Sequence, residues 1–402
     1  MGREPRWKAF LRDWMLPIAI VLGISIASVY HAVPALHRFG PVGHIVVADG
    51  QRWVIATLLF FQFVKISPHD VRPRRWHLYI LLFQIFCFIS LALLARSMEP
   101  GGVRILVECA MLCLICPTAS AAGVITERLG GQLAGTVTYL VMINLVGTLL
   151  IPSVIPMVQP SAELGFWAYV LRIAGKIFPV LIVPAMLAWV IRYTWGRLQR
   201  ALMRLASYSF YVWGVGLTFA MILSTHSLIC SGLGGGMIAG IVAVSALCCL
   251  IQFLFGRWAG YRAARFAGVV VSKELRSLRS LRPLPLSSSS SLRDNSLPTG
   301  PSPCPCPGVD RPLDTTTPAR RAVALTAGQT LGQKNTGFLI WLGYTYLTPV
   351  TAVAGGLYAI WQNLFNAWEL YEARQQRSIS SSAAGTPAAH GPSREPAPTS
   401  RT

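Results

Sequence analysis

A series of ten long apolar stretches, separated by short basic segments, limits what this chain can fold into more than any other feature. About 20 apolar residues in helical form cross a bilayer core. The stretches cover roughly 14–33, 52–67, 76–96, 103–127, 132–157, 170–193, 206–226, 233–255, 322–345 and 349–369. Only 12% of the 402 residues are charged, about half the share of a soluble globular chain. Too little polar side-chain surface is left to coat a soluble fold of this size. The expected class is therefore an all-α membrane protein. A net charge of +20 raises nucleic acid as a partner. The basic residues sit between apolar stretches instead, as they do where cytoplasmic loops of membrane proteins are basic. We expect no nucleic acid partner and membrane lipid as the surroundings. The N-terminal part has a basic start (Arg3, Arg6, Lys8, Arg12) and then an apolar run from Trp14 to Tyr30. That run is long and no clear cleavage site follows it, so a first membrane helix is expected rather than a signal peptide.

Loop charge gives an orientation. Basic residues precede the first stretch and cluster between the second and third (Lys65, Arg72, Arg74, Arg75). They cluster again between the sixth and seventh (Arg192, Arg197, Arg200, Arg204), between the eighth and ninth, and after the tenth (Arg374, Arg377). The alternate loops are poor in them. The expectation is a multi-pass protein of the cell membrane with both termini cytoplasmic. Five regions follow. Residues 1–256 hold helices 1–8. Residues 257–282 form a basic amphipathic juxtamembrane segment, in which Leu275, Leu278 and Leu281 alternate with Arg276, Arg279 and Arg282. Residues 283–318, rich in Pro, Ser and Thr, read as a disordered cytoplasmic linker. Residues 319–372 hold helices 9–10, and residues 373–402 read as a disordered tail.

Two stretches are interrupted. The fourth contains Cys116-Pro117-Thr118-Ala119-Ser120-Ala121-Ala122-Gly123. The ninth contains Gly328-Gln329-Thr330-Leu331-Gly332-Gln333-Lys334-Asn335-Thr336-Gly337. Proline breaks the helical ladder. So many Gln, Lys and Asn persist inside a membrane only against protein or a wet cavity. Pro117 lies 13 residues after Arg104, and Lys334 lies 13 after Arg321. At 1.5 Å per residue both fall roughly 20 Å from a helix edge. They occupy the fourth place in each half of five, and an odd number per half gives the halves opposite orientation. The expected fold has ten transmembrane helices as two inverted five-helix repeats, with broken helices 4 and 9 crossing at a substrate site. Ordinary kinks in packed helices are the rival reading.

These residues resemble the bile acid:sodium symporter family. The family carries Cys-Pro-Gly-Gly and then a Ser-Asn pair in its fourth helix, and Glu-x-Gly-x-Gln-Asn in its ninth. Cys116-Pro117 and Gly332-Gln333-Lys334-Asn335 stand in those places here. Trp361-Gln362-Asn363 stands where the family often has Trp-His-Asn. The resemblance spans most of 14–255 and 322–370. It implies a core domain and a panel domain, and uptake of a small organic anion driven by sodium. Substrate contacts would then come from Pro117, Thr118, Ser120, Gly332, Gln333, Lys334 and Asn335.

The departures fall on the ion sites. The resemblance implies sodium ligands from the Ser-Asn pair, from hydroxyls of the fifth helix, and from the Glu and Gln of the ninth. The matching positions here are Ala122 and Gly123, Thr136 and Leu140, and Thr330 and Lys334. Gln84 in the third stretch is retained. A hard cation is held by several oxygens, and most are gone. A lysine ammonium stands in one place, where it could hold the crossing together without sodium. The expected function is secondary active transport of a small organic anion, with sodium coupling altered or absent. The coupling ion, sodium or proton, stays open.

Lys334 and Glu108 are the ionisable residues deepest in the stretches, and each is a functional candidate by default. For Glu108, a satisfied carboxylate near the membrane surface is an equal reading. Cys109, Cys113 and Cys116 share a helix face and read as packing residues ahead of a soft-metal site. No metal and no cofactor are expected. Cys304-Pro305-Cys306 reads as incidental and His226 as interfacial. An arsenite or thiol-reactive metalloid exporter is the alternative that Cys116 allows. An intramembrane enzyme is a further alternative, though no carboxylate pair or His cluster is evident, so the chain is expected not to be an enzyme.

Overall fold

A computed structural model describes residues 6–280 and 317–384. Among them there is no strand, only helix and one isolated bridge. In chain order the helices are α1 (Arg6–Ala32), α2 (Gly40–His44), α3 (Gly50–Lys65), α4 (Arg75–Ser97), α5 (Gly102–Ile115), α6 (Ala122–Arg128), α7 (Leu133–Val158) and α8 (Phe166–Leu181). They continue as α9 (Val183–Thr194), α10 (Gly196–Leu205), α11 (Ser209–Ser231), α12 (Gly235–Ser280), α13 (Thr317–Gly332), α14 (Thr336–Tyr346) and α15 (Thr351–Ala384). Six helical runs among the described residues are long and apolar enough to cross a membrane: Pro34–Lys65, Arg75–Ser97, Leu133–Val158, Phe166–Thr194, Ser209–Ser231 and Gly235–Phe266. A shorter apolar helix, Pro17–Ala32, accompanies them. Large apolar side chains such as Leu78, Leu82 and Phe86 stay exposed along these helices. That outward face suits lipid and not water, and the architecture is that of an all-α membrane protein.

The helices pack around two centres, joined where α11 meets α14 and α15, where α8 meets α7, and where α3 meets α14. In one, α1 lies on α11, and α3 lies on α8, α9 and α11. In the other, α4, α5, α7, α12, α13, α14 and α15 surround the two interrupted segments. The amphipathic α10, with Arg197, Arg200 and Arg204, packs on α3 and α9. Within the larger group α12 meets α13 across small residues. A Cβ on Gly256 would lie 2.5 Å from the Ala327 oxygen, and one on Gly260 would lie 2.8 Å from the Val323 oxygen. Ala259, Ala263 and Ala264 are buried against the same helix pair. Close backbone approach over a Gly-x-x-x-Gly pair is a common device of membrane helices.

Two helices run past the boundaries read from the sequence. The α12 helix continues through residues 257–280 and buries Ala259, Ala263 and Ala264. The α15 helix continues past residue 373 to Ala384. The linker expected at 283–318 falls almost wholly outside the described residues, as do Cys304 and Cys306.

Candidate functional site

Both interruptions follow from local chemistry. Proline at 117 has no N–H and disfavours helix in the residue before it, and Cys116 leaves the helix with φ −49° and ψ 132°. In the other segment Asn335 caps α14, its Oδ1 accepting from the Phe338 amide at 3.2 Å. A Cβ on Gly332 would meet the Phe253 ring at 2.4 Å, so only glycine fits there.

The two interrupted segments pair with each other. Thr118 and Lys334 form an antiparallel bridge. The Ala119 amide donates to the Gln333 oxygen at 2.9 Å, and the Asn335 amide donates to the Pro117 oxygen at 2.8 Å. Freed backbone groups inside a membrane need partners, and buried side chains supply them. Gln84 Nε2 donates to the Leu114 oxygen at 2.6 Å. Gln252 Nε2 donates to the Cys113 oxygen at 3.1 Å. Tyr358 donates to the Gly332 oxygen at 2.8 Å, and Thr118 to the Thr330 oxygen at 2.8 Å. Gln362 clamps Lys334, accepting from its amide at 2.9 Å and donating to its oxygen at 3.3 Å.

A cavity of about 60 Å³ lies beside this crossing. The crossing contributes Ser120, Gln333, Lys334 and Asn335 to its wall. The α15 helix adds Gln362, Asn363 and Asn366, and α3 adds Gln51. Apolar residues of α3 and α11, including Leu59, Trp213 and Leu217, complete it. Pro117, Thr118 and Gly332, expected at the substrate, build the crossing but do not line the cavity. Gln51 Oε1 and Asn366 Oδ1 are buried with no hydrogen-bond partner among the described residues. Unspent acceptors of this kind are costly unless something polar arrives.

Lys334 is fully buried and is the only buried Lys or Arg among the described residues. Its Nζ has no hydrogen-bond partner there.

The positions matched to the ion sites divide into two kinds. Ala122, Gly123 and Leu140 are buried and offer no side-chain oxygen. Thr136 and Thr330 face each other with hydroxyls 2.9 Å apart, and Thr126 lies 3.4 Å from Thr136. Gln84 is spent on the Leu114 oxygen and accepts from Tyr139. No carboxylate stands among these residues, and the hydroxyls satisfy one another.

Glu108 has the satisfied role. It pairs with Arg104 at 3.2 Å and accepts from Gln159 at 2.9 Å and Thr348 at 3.1 Å. It thereby pins α5 to the end of α7 and the start of α15. Cys109, Cys113 and Cys116 are buried free thiols in the apolar core.

Sequence reading missed Glu369. It is buried, pairs with Arg257, and accepts from Gln329, which in turn accepts from Gln333 of the crossing. The signal was available, since Gln362, Asn366 and Glu369 recur at helical spacing in the last apolar stretch, 349–369. No protein-family model matches the chain, and no curated protein matches it.

Proposed function

We propose that this chain is a ten-helix secondary transporter of a small organic anion, built like the bile acid:sodium symporters but without their sodium coupling. The paired interruptions beside a polar cavity carry the reading. Broken segments meeting inside a membrane protein are how many such carriers build a substrate site. The cavity wall, drawn from α3 and α11 on one side and from the crossing and α15 on the other, supports a panel and a core. The cavity lies where those two groups face each other. At about 60 Å³ it is far smaller than the roughly 300–1,000 Å³ of ordinary ligand sites. Binding then requires the groups to part, as in alternating access.

Charge supports an anion and argues against sodium. A second cation about 4 Å from Lys334 costs on the order of 4 kcal/mol at an effective dielectric near 20. That is nearly a thousandfold in affinity at about 1.4 kcal/mol per tenfold. An anion gains from the same interaction. The metalloid-exporter alternative is weaker, because Cys113 and Cys116 are buried in the core and do not line the cavity.

The test is binding. Purified protein in detergent is heated with a panel of organic carboxylates, sulfonates and quaternary ammonium ions, in sodium or in potassium salt. A ligand at 100 times its Kd stabilises by about 2.7 kcal/mol. At least one anion is expected to raise Tm equally in both salts. Stabilisation by organic cations alone, or only in sodium, overturns the reading.

A further inference from the structure

A second cluster lies away from the crossing, where α1 and α11 end together. Contacts along the pair ascend in step. A Cβ on Gly214 would meet Met15, one on Gly23 would meet Met221, and His31 touches His226. The two helices therefore run in the same direction and finish on the same side. His226 and Cys230 are one turn apart on α11, which puts both on one face. His31, in the last turn of α1, comes against that face.

The three donor atoms converge. His31 Nε2 is 2.9 Å from His226 Nδ1, and Cys230 Sγ is 4.0 Å and 3.9 Å from those same two nitrogens. The imidazole rings stack with centroids 5.0 Å apart and 27° between planes. Zinc bonds to His nitrogen at about 2.0–2.1 Å and to Cys sulfur at about 2.3 Å in tetrahedral geometry. Two nitrogens and a sulfur on one tetrahedron are then separated by roughly 3.3–3.6 Å. Opening the N···N contact and closing the sulfur by a few tenths of an ångström reaches that arrangement. Tyr30 packs edge-on against His31, with centroids 5.3 Å apart, and limits how the ring can turn. The donors come from helix ends held by a long packed interface, so the scaffold is already in place. Cys230 is exposed, which leaves a route to solvent.

We propose that His31, His226 and Cys230 form a binding site for a divalent zinc-class cation that ties the end of α1 to the end of α11. Two neutral imidazoles and one thiolate ligate it, and a water takes the fourth position. Binding releases the thiol proton, as Zn²⁺ and HS–Cys give (Zn–S–Cys)⁺ and H⁺. The site is separate from the crossing and does not depend on the transport reading.

Co²⁺ serves as a spectroscopic stand-in, added to the purified full chain in detergent. About one Co²⁺ per chain is expected, with tetrahedral visible bands and a near-ultraviolet thiolate charge-transfer band, all abolished by Zn²⁺. Outer partners of metal ligands are worth about 10–100-fold in affinity, so losing a direct ligand is expected to cost at least about 100-fold. Cys230→Ser removes the charge-transfer band and His226→Ala weakens binding by that factor. Both positions lie near a helix end, and circular dichroism confirms that the variants fold. A charge-transfer band that persists in Cys230→Ser, affinity unchanged from the unmodified chain in both variants, or no Co²⁺ bound by the unmodified chain overturns the proposal.

Discussion

Lys334 carries an ammonium into the protein with no hydrogen-bond acceptor beside it among the described residues. Leaving a polar group in that condition costs on the order of 1–3 kcal/mol in proteins, so the fold keeps it at a loss. Replacing a buried charge by an apolar side chain of similar volume is often stabilising. Lys334→Met is therefore expected to raise Tm, with a gain of about 1–3 kcal/mol. It is also expected to weaken anion binding at least about tenfold. That factor corresponds to about 1.4 kcal/mol, which an ammonium and a carboxylate reach at about 12 Å for an effective dielectric near 20. Thermal unfolding and ligand titration on one preparation check both. A variant that is less stable yet binds equally well assigns Lys334 to structure alone. Its position could be read from the sequence, because a lysine amid apolar residues is conspicuous. Its surroundings could not, since Thr118 lies 216 residues away in the chain and pairs with it only in the folded protein.

At the scale of elements, α12 and α13 depend on a seam of small residues. Gly260→Leu puts a branched side chain where a Cβ alone already lies 2.8 Å from the Val323 oxygen and Ala327. Overpacking costs about 1–3 kcal/mol or more, and α13 carries half of the crossing. Detergent-solubilised Gly260→Leu is expected to lose stability and anion binding together. Gly175→Ala is the contrast, since nothing lies within 4 Å of a Cβ there. Removing a helical glycine in open space stabilises by about 0.5–1 kcal/mol. Equal effects of the two substitutions would contradict the seam. The interruptions were legible because Pro117 and Gly332 stand out in apolar runs. The seam was not, because Arg257 and Arg262 make its neighbourhood resemble a juxtamembrane stretch. The cavity was equally hidden. Its walls from α3 and α15 come together only in three dimensions, and Gln51 and Asn366 carry no motif.

For the whole molecule, the all-helical membrane class was legible in apolar length, and six helical runs among the described residues are long and apolar enough to cross a membrane, whereas which helices pack together appears only in the structure. The proposed topology puts both termini in the cytoplasm and the shared end of α1 and α11 outside. Reporters inserted within 283–318 and after residue 402 are expected to read cytoplasmic. Cys230 is expected to react with a membrane-impermeant maleimide applied to intact cells. A non-cytoplasmic reporter at either position would break the ten-helix count. The most direct test of the central claim is uptake of labelled organic anions into proteoliposomes of known orientation, with sodium or potassium outside. The account predicts saturable accumulation of at least one anion at the same rate in both salts, and loss of that uptake in Lys334→Met. Uptake that requires a sodium gradient, or none above empty liposomes for any anion that raises Tm, would contradict it.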